Sequence, residues 1–295
     1  MRRLYTVFMK LRPYLGLITL AVLLGVTVGI TLLVIPTFAP PHLTVSFLDI
    51  GQGDSIFIQS PTGRQVLVDG GPSGIVLRRL GEIMPWYDRS IDMIVATHPD
   101  SDHVSGFIDV LARYDVKKIL QSSVKGDTAV WHRLEDAMHA EGVPIIIAKR
   151  GQIFDLGGGA YLEVLFPDRA LPDAETNTAS VVARVVYGST SVLLTGDSPK
   201  PIEEFLVELD RDALKSTMLK AGHHGSKNSS SPLYLGYVDP QYVVFSRGCN
   251  NRYGHPAPET VAVLGKFADP TYDTCLQGTI TYVSDGINVK VETER

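Results

Sequence analysis

The chain has little cysteine: two residues in 295, Cys249 and Cys275, too far apart to form a CxxC metal or redox motif. Outside the cytoplasm they are able to pair, a question that their spacing leaves open. No Gly-x-Ser-x-Gly elbow or other covalent-catalysis signature is present, so no protein nucleophile is indicated. The sequence also lacks a repeat with a period of about 20–50 residues, which excludes a solenoid or propeller. Nor is there an excess of basic charge. Arg2, Arg3, Lys10 and Arg12 are four of the 27 basic residues, and all 32 acidic residues follow them, leaving residues 42–295 with a formal charge of −9. Nucleic-acid binding, which relies on clustered Lys and Arg, gains nothing from this balance and needs a local patch.

The longest absence is of charge itself, since no charged side chain occurs between Leu15 and Ala39 and the first acidic residue is Asp49. About 20 apolar residues span a bilayer as one helix, and basic residues precede this run. The expectation is a cytoplasmic N-terminus, a transmembrane signal anchor and a short linker marked by Pro36, Pro40 and Pro41, together residues 1–41, with residues 42–295 outside the cytoplasmic membrane. A secreted protein with a cleaved signal is the alternative, but the run is longer than a usual signal core and no clear A-x-A site follows it. A lipoprotein anchor has no cysteine to use.

Short β-branched runs then follow closely. Leu43–Ile50, Ser55–Gln59 and Arg64–Val68 read as an antiparallel meander, and Ile75 to Ile83 as a helix. Ile91–Thr97 reads as a buried strand, with helical spacing after it over 107–114 and 130–139. Further strands are expected over 144–148, 161–166, 180–187, 191–195, 218–221, 242–246, 279–283 and 288–291, with helices over 201–209 and 258–267. This alternation predicts one α+β sandwich whose helices cover the outer faces of two sheets.

The densest chemistry is Thr97-His98-Pro99-Asp100-Ser101-Asp102-His103, four metal-ligating side chains directly after a strand. Packing explains such density poorly, because an uncompensated buried carboxylate costs several kcal/mol, whereas a divalent cation removes the difficulty. A solvated turn or helix cap is the plainer reading, and Asp102 is able to cap the next segment. Further candidates also follow apolar strands beside glycine: Asp197 in Leu194-Thr195-Gly196-Asp197, and the pair in Lys220-Ala221-Gly222-His223-His224-Gly225-Ser226.

In this order the motifs resemble the metallo-β-lactamase superfamily. With Leu48 to Asp54, Val68-Asp69-Gly70-Gly71, Asn177 to Ser180 and Tyr253-Gly254-His255-Pro256 added, they are similar to the hydrolase domain of ComEC-type competence proteins over residues 43 to about 292. The resemblance implies an αββα sandwich with one or two divalent metal ions at one edge, held by His98, Asp100, Asp102, His103, Asp197 and one of His223 and His224. Asp69, Asp49 and Asp54 would orient these ligands, and a metal-bound water would attack the substrate, with His255 as proton donor or phosphate ligand. Lys220, Ser226, Lys227, Asn228 and Arg252 flank the motifs as substrate-binding candidates. A single apolar helix precedes the domain where full ComEC proteins carry a multi-helix channel, so the chain is not expected to be a DNA-uptake channel itself.

Two departures qualify the likeness. Asp100 stands where the superfamily commonly has His, and no His lies near residues 177–180, while His132 and His139 read as surface or packing residues of one helix. An oxygen-richer site makes Mn²⁺ a competitor to Zn²⁺. The expected activity is phosphodiester hydrolysis, with DNA as a partner by resemblance. Hydrolysis of a small ester, lactone or lactam, and a non-catalytic metal-stabilised binding module, stand beside it.

Overall fold

The computed structural model describes residues 14–34, 41–268 and 270–295, with the side chains of 32–34 outside that description. The chain divides into two units, 1–41 and 42–295. In the first, helix α1 (Leu15–Val34) carries no charge, and Thr19, Thr27 and Thr31 donate their hydroxyls to carbonyls four residues earlier at 2.8–2.9 Å. The expected transmembrane span is not confirmed: among the described residues, with side chains in α1 followed only to Thr31, no helix is long and apolar enough to cross a membrane. The basic residues before α1, and Pro36 and Pro40, lie outside the described residues.

The second unit opens with the antiparallel meander β1 (Leu43–Phe47), β2 (Ile56–Gln59) and β3 (Gln65–Val68). Helix α2 (Ile75–Ile83) leads through β4 (Ser90–Ile91) to β5 (Met93–Ala96), and α3 (Ser101–Leu111) leads through β6 (Asp115–Val116) to β7 (Ile119–Gln121). After α4 (Ala129–Glu141) and β8 (Ile145–Ile147) the chain crosses to β9 (Ile153–Gly157), β10 (Ala160–Phe166), β11 (Val182–Tyr187) and β12 (Thr190–Leu194). Then come α5 (Lys200–Asp210), β13 (Met218–Lys220), α6 (Pro232–Val238), β14 (Tyr242–Phe245), α7 (Pro258–Leu264), β15 (Thr271–Asp273) and α8 (Thr274–Gln277). The hairpin β16 (Ile280–Ser284) and β17 (Val289–Thr293) closes the unit.

One sheet has the order β17-β16-β1-β2-β3-β5-β7-β8 and the other β15-β14-β13-β12-β11-β10-β9. Strands β3, β5, β7 and β8 are parallel, as are β12 to β15, so each sheet has a half whose carboxyl ends point the same way. Residues such as Phe47, Ile58, Val95, Leu162, Val192 and Tyr282 fill the space between the sheets. On the outside, Val76, Phe107 and Trp131 of α2, α3 and α4 cover Leu67, Ile94 and Ile119 of the first sheet. Leu206, Tyr234 and Leu264 of α5, α6 and α7 cover Leu193 and Val243 of the second. This is the αββα sandwich, with buried apolar faces on both sides of each parallel half.

Some elements depart from the sequence reading. Strands β9 and β15 lie at sheet edges, and α6 is only seven residues long, too short for a helical period to stand out. More consequential is α3, which begins on the ligand motif itself rather than after it. Asp100 is its extended N-cap (φ −68°, ψ 143°), and Asp102 stands in the first turn, where the helix dipole favours an anion.

Candidate metal centre

The carboxyl ends of the parallel halves meet at one edge of the sandwich. Asp69 follows β3, His98 follows β5, Asp197 follows β12, His223 and His224 follow β13, and Ser246 follows β14. Ligand crevices in parallel sheets form at such strand ends, where the chain leaves the sheet and side chains converge. Close approach is enforced by Gly53: at φ +116°, a Cβ there would lie 2.0 Å from the Asp102 carbonyl oxygen, so only glycine lets the 51–54 turn seat against α3.

Asp197 is the meeting point. Its Oδ2 lies 3.4 Å from Nε2 of His103, 3.4 Å from Nε2 of His224, 3.5 Å from Nε2 of His223 and 3.9 Å from Nε2 of His98. Asp102 Oδ2 lies 3.6 Å from His224 Nε2, and Asp100 Oδ2 lies 3.8 Å from His98 Nε2. Two donor triads overlap here, His98–His103–Asp197 and Asp102–His103–His224, each with its ligand atoms within 4.8 Å of one another.

The other face of each imidazole explains why these rings point inward. His103 Nδ1 donates to Asp69 Oδ2 at 2.7 Å, and His224 Nδ1 donates to the Ser246 carbonyl at 2.9 Å. The Thr97 hydroxyl donates to Asp69 Oδ2 at 2.8 Å, which leaves its oxygen to accept from His98 Nδ1 at 2.9 Å. All three rings therefore carry a proton on Nδ1 and turn Nε2 to the centre, where a bound cation would take its lone pair. Those three Nε2 atoms are buried without a hydrogen-bond partner. Orphaned, convergent imidazole nitrogens beside carboxylates fit a divalent cation of the Zn²⁺ or Mn²⁺ type.

Electrostatics point the same way. Burial opposes a charge on His103, but Asp197 and Asp69 overcome it and push the ring well above the usual histidine range; Asp197 and Asp54 do the same to His224. His98, more influenced by burial and by neighbouring His103, is held down at about 3. The carboxylates thus draw positive charge into the cluster, and a bound cation would take the place of those protons.

A chain that folds this way has identifiable relatives. The family model for the metallo-beta-lactamase superfamily matches residues 48–246. The chain belongs to the metallo-β-lactamase superfamily. Membership gives it the metal-dependent hydrolase fold of that superfamily and implies divalent metal ions. It is 31% identical over 255 residues to ComE operon protein 3 of Bacillus subtilis, covering 81% of this chain and 32% of that protein. Competence protein ComA of Neisseria gonorrhoeae is 33% identical over 216 residues, covering 72% of this chain and 28% of that protein. The chain spans about a third of the length of these curated relatives. Among solved structures, CmlA, a diiron β-hydroxylase from Streptomyces venezuelae, superimposes with a TM-score of 0.53 at 15% identity, covering 82% of this chain and 54% of that one, a likeness of fold alone.

The segment lacking the further histidine carries Thr176 and Asn177 instead. Burial raises the Asp100 carboxyl pKa, with Thr176 lowering it to a smaller extent, and Asn177 Oδ1 is buried without a hydrogen-bond partner. His224 is 1% exposed and belongs to the donor triads; the His223 side chain is 29% exposed and stands at the mouth. Both occupy left-handed backbone (φ 49° and 54°), a strain held by the flanking Gly222 and Gly225 turn.

Several expected roles are corrected by burial. Lys220 is fully buried, ion-paired with Asp54, 2.8 Å from the Gly196 carbonyl and 3.5 Å from Asp197 Oδ1, so it faces the cluster from behind and cannot reach a substrate. Burial pushes against its charge, but Asp54 and Asp197 hold it protonated. Ser226 is likewise buried, its hydroxyl accepting from the Asn228 amide at 3.3 Å, while Lys227, Asn228 and Arg252 are exposed. Asp49 is turned away from the ligands: its carboxylate pairs with Arg79 at 3.3 Å and with Arg295. Asp54 and Asp69 do back the cluster. His132 is exposed beside Glu135 and His139 bonds the Glu135 carbonyl, both far from these ligands in their contacts. Thr97 and Ser246, which set two ring orientations, escaped sequence reasoning; their position at strand ends was the available signal. Cys249 and Cys275 are joined as a disulfide.

Proposed function

We propose that this chain is a membrane-anchored, extracytoplasmic metal-dependent phosphodiesterase that cleaves DNA, using one or two Zn or Mn ions. The observation that carries the hydrolase reading is the convergence of three oriented imidazoles and Asp197 between the sheets. Bound divalent ions supply an acidified water and a Lewis acid for the bond under attack. The residues do the rest. Asp69, Thr97 and the Ser246 carbonyl keep the Nδ1 protons of His103, His98 and His224 outward, and Lys220 with Asp54 fixes Asp197 so that its Oδ2 faces the ligands. His255, half-buried with its ring centroid 5.6 Å from that of His223, stands beside the centre where it can hydrogen-bond a leaving oxygen. Burial, with His223 and His224 next, lowers its pKa and keeps the ring neutral at about pH 7.

DNA as substrate is supported by the competence-protein relatives, and extracytoplasmic placement by the disulfide, which persists in oxidising compartments. Membrane anchoring is supported by the uncharged α1, whose Thr19, Thr27 and Thr31 hydroxyls are satisfied within the helix. The test is metal analysis of the full chain in detergent, followed by single-stranded DNA cleavage with Zn²⁺, Mn²⁺ or Mg²⁺ and with Asp102→Ala as control. Cleavage lost in the variant supports the reading. Turnover of a lactone or nitrocefin without DNA cleavage would replace it with small-molecule hydrolysis, and metal-raised melting temperature with no turnover would replace it with a binding module.

A further inference from the structure

The rim of the centre carries a loop, residues 251–255, closed on itself by one side chain. Asn251 Nδ2 donates to the carbonyls of His255 at 2.7 Å and Gly248 at 2.9 Å, while its Oδ1 accepts from the His255 amide at 2.9 Å. The base of the loop is held further by the Cys249–Cys275 disulfide and by Gly248, where a Cβ would lie 2.8 Å from the Gln52 amide nitrogen. This bracing presents side chains to solvent rather than burying them. Tyr253 is 52% exposed, and the Arg252 guanidinium lies 5.0 Å from its ring centroid with Nη2 donating to the tyrosine hydroxyl at 2.9 Å.

The loop leads directly to the chemistry. The Tyr253 ring is nearly parallel to His255 (18°) with 5.8 Å between their centroids, and His255 is 5.6 Å from His223, itself beside Asp197. Arg252 also feels the Asp102 carboxylate, after its stronger interaction with Tyr253. A rigidly held aromatic and a planar cation suit a flat π-system next to an anion, and a pre-ordered exposed tyrosine gives up little freedom on binding one.

We propose that Tyr253 and Arg252 form a stacking subsite for an unpaired nucleobase adjoining the phosphodiester at the metal centre, so that the enzyme selects single-stranded over paired DNA. This rests on the phosphodiesterase reading. In a duplex the base faces are already stacked on their neighbours, so neither ring face is open to Tyr253.

The test uses the metal-loaded full chain in detergent with three substrates: a single-stranded oligonucleotide, its duplex, and a strand of equal length carrying abasic positions. The wild type is expected to favour the intact single strand over the other two by about tenfold in kcat/KM, a preference that collapses in Tyr253→Ala, through KM more than kcat, and survives in Tyr253→Trp. The new indole fluorescence in Tyr253→Trp should be quenched by the intact strand and not by the abasic one. Arg252→Ala should weaken single-strand binding less than Tyr253→Ala. An unchanged preference in Tyr253→Ala, or equal quenching by both strands, overturns the stacking subsite while leaving phosphodiester cleavage intact. A wild type that cleaves no DNA with any of the metals overturns the phosphodiesterase reading and the subsite together.

Discussion

Asp54, Lys220, Asp197, His103 and His224 form an inner wall in which no residue is more than 3% exposed. The rim is different: Asp100 and His223 have side chains 40% and 29% exposed, and Arg252 and Tyr253 face solvent. On the inner wall every charge has a partner of opposite sign, so each residue is fixed by several others. At the rim Tyr253 and His255 meet each other, Arg252 and His223 through ring contacts on a braced loop. The wall thus governs whether metal is held, and the rim governs what is brought to it.

Substitutions can break this division. Asp197→Ala removes the carboxylate shared by four imidazoles and should abolish both metal retention and hydrolysis, a loss of at least about 1000-fold in rate; metal retained at full stoichiometry would contradict the assignment. Lys220→Met leaves Asp54 and Asp197 buried without their cation and should destabilise the fold by about 3–5 kcal/mol, read from chemical denaturation. Pairing it with Asp54→Asn should recover part of that loss, and no recovery would mean that the ion pair is not the cause. His224→Ala should lower metal affinity by about 100-fold or more and His223→Ala by less than about tenfold, measured by competition with a chelator.

A smaller effect concerns Glu203 of α5, which is 1% exposed and accepts the Ser230 and Ser231 amides at 2.7 Å each. Burial pushes its carboxyl up to about 7, against those two amides and Lys200, while Glu204 adds to the rise and Tyr234 lies nearby. Since the folded value exceeds the unfolded value of 4.5, its contribution to stability is complete below about 4.5 and is lost as pH rises through about 7. The loss approaches about 3 kcal/mol, and Glu203→Gln should flatten it in urea melts across that window. Smallest of all, Asp49→Asn should cost about 1 kcal/mol and leave metal content unchanged, because its carboxylate serves Arg79 and Arg295.

Much of the centre was legible because His98 to His103, Asp197 and His223-His224 are rare residue types packed directly behind apolar strands. The sandwich followed from strand spacing and from helices with one apolar face. What could not be read was direction. Lys220 and Arg252 are both basic residues beside motifs, yet one ends β13 between two sheets and the other tips an exposed loop. Asp49 and Asp54 are five residues apart on one turn-rich segment, but only Asp54 meets the cation from the second sheet. Likewise, nothing local separates His223 from His224; the Ser246 carbonyl, which selects His224, comes just after the next strand, β14.

The contact of Asp54 with Lys220 also joins two stretches of chain that are made at different times. Asp54 lies in the turn before β2 of the first sheet and Lys220 ends β13 of the second, 166 positions later in the chain, with His224 four residues after it. A growing polypeptide that has already released His98 to His103 still has no complete ligand set, because Asp197 and His224 have yet to emerge and dock. A chain ended before Asp197 would lack the carboxylate on which the four imidazoles converge.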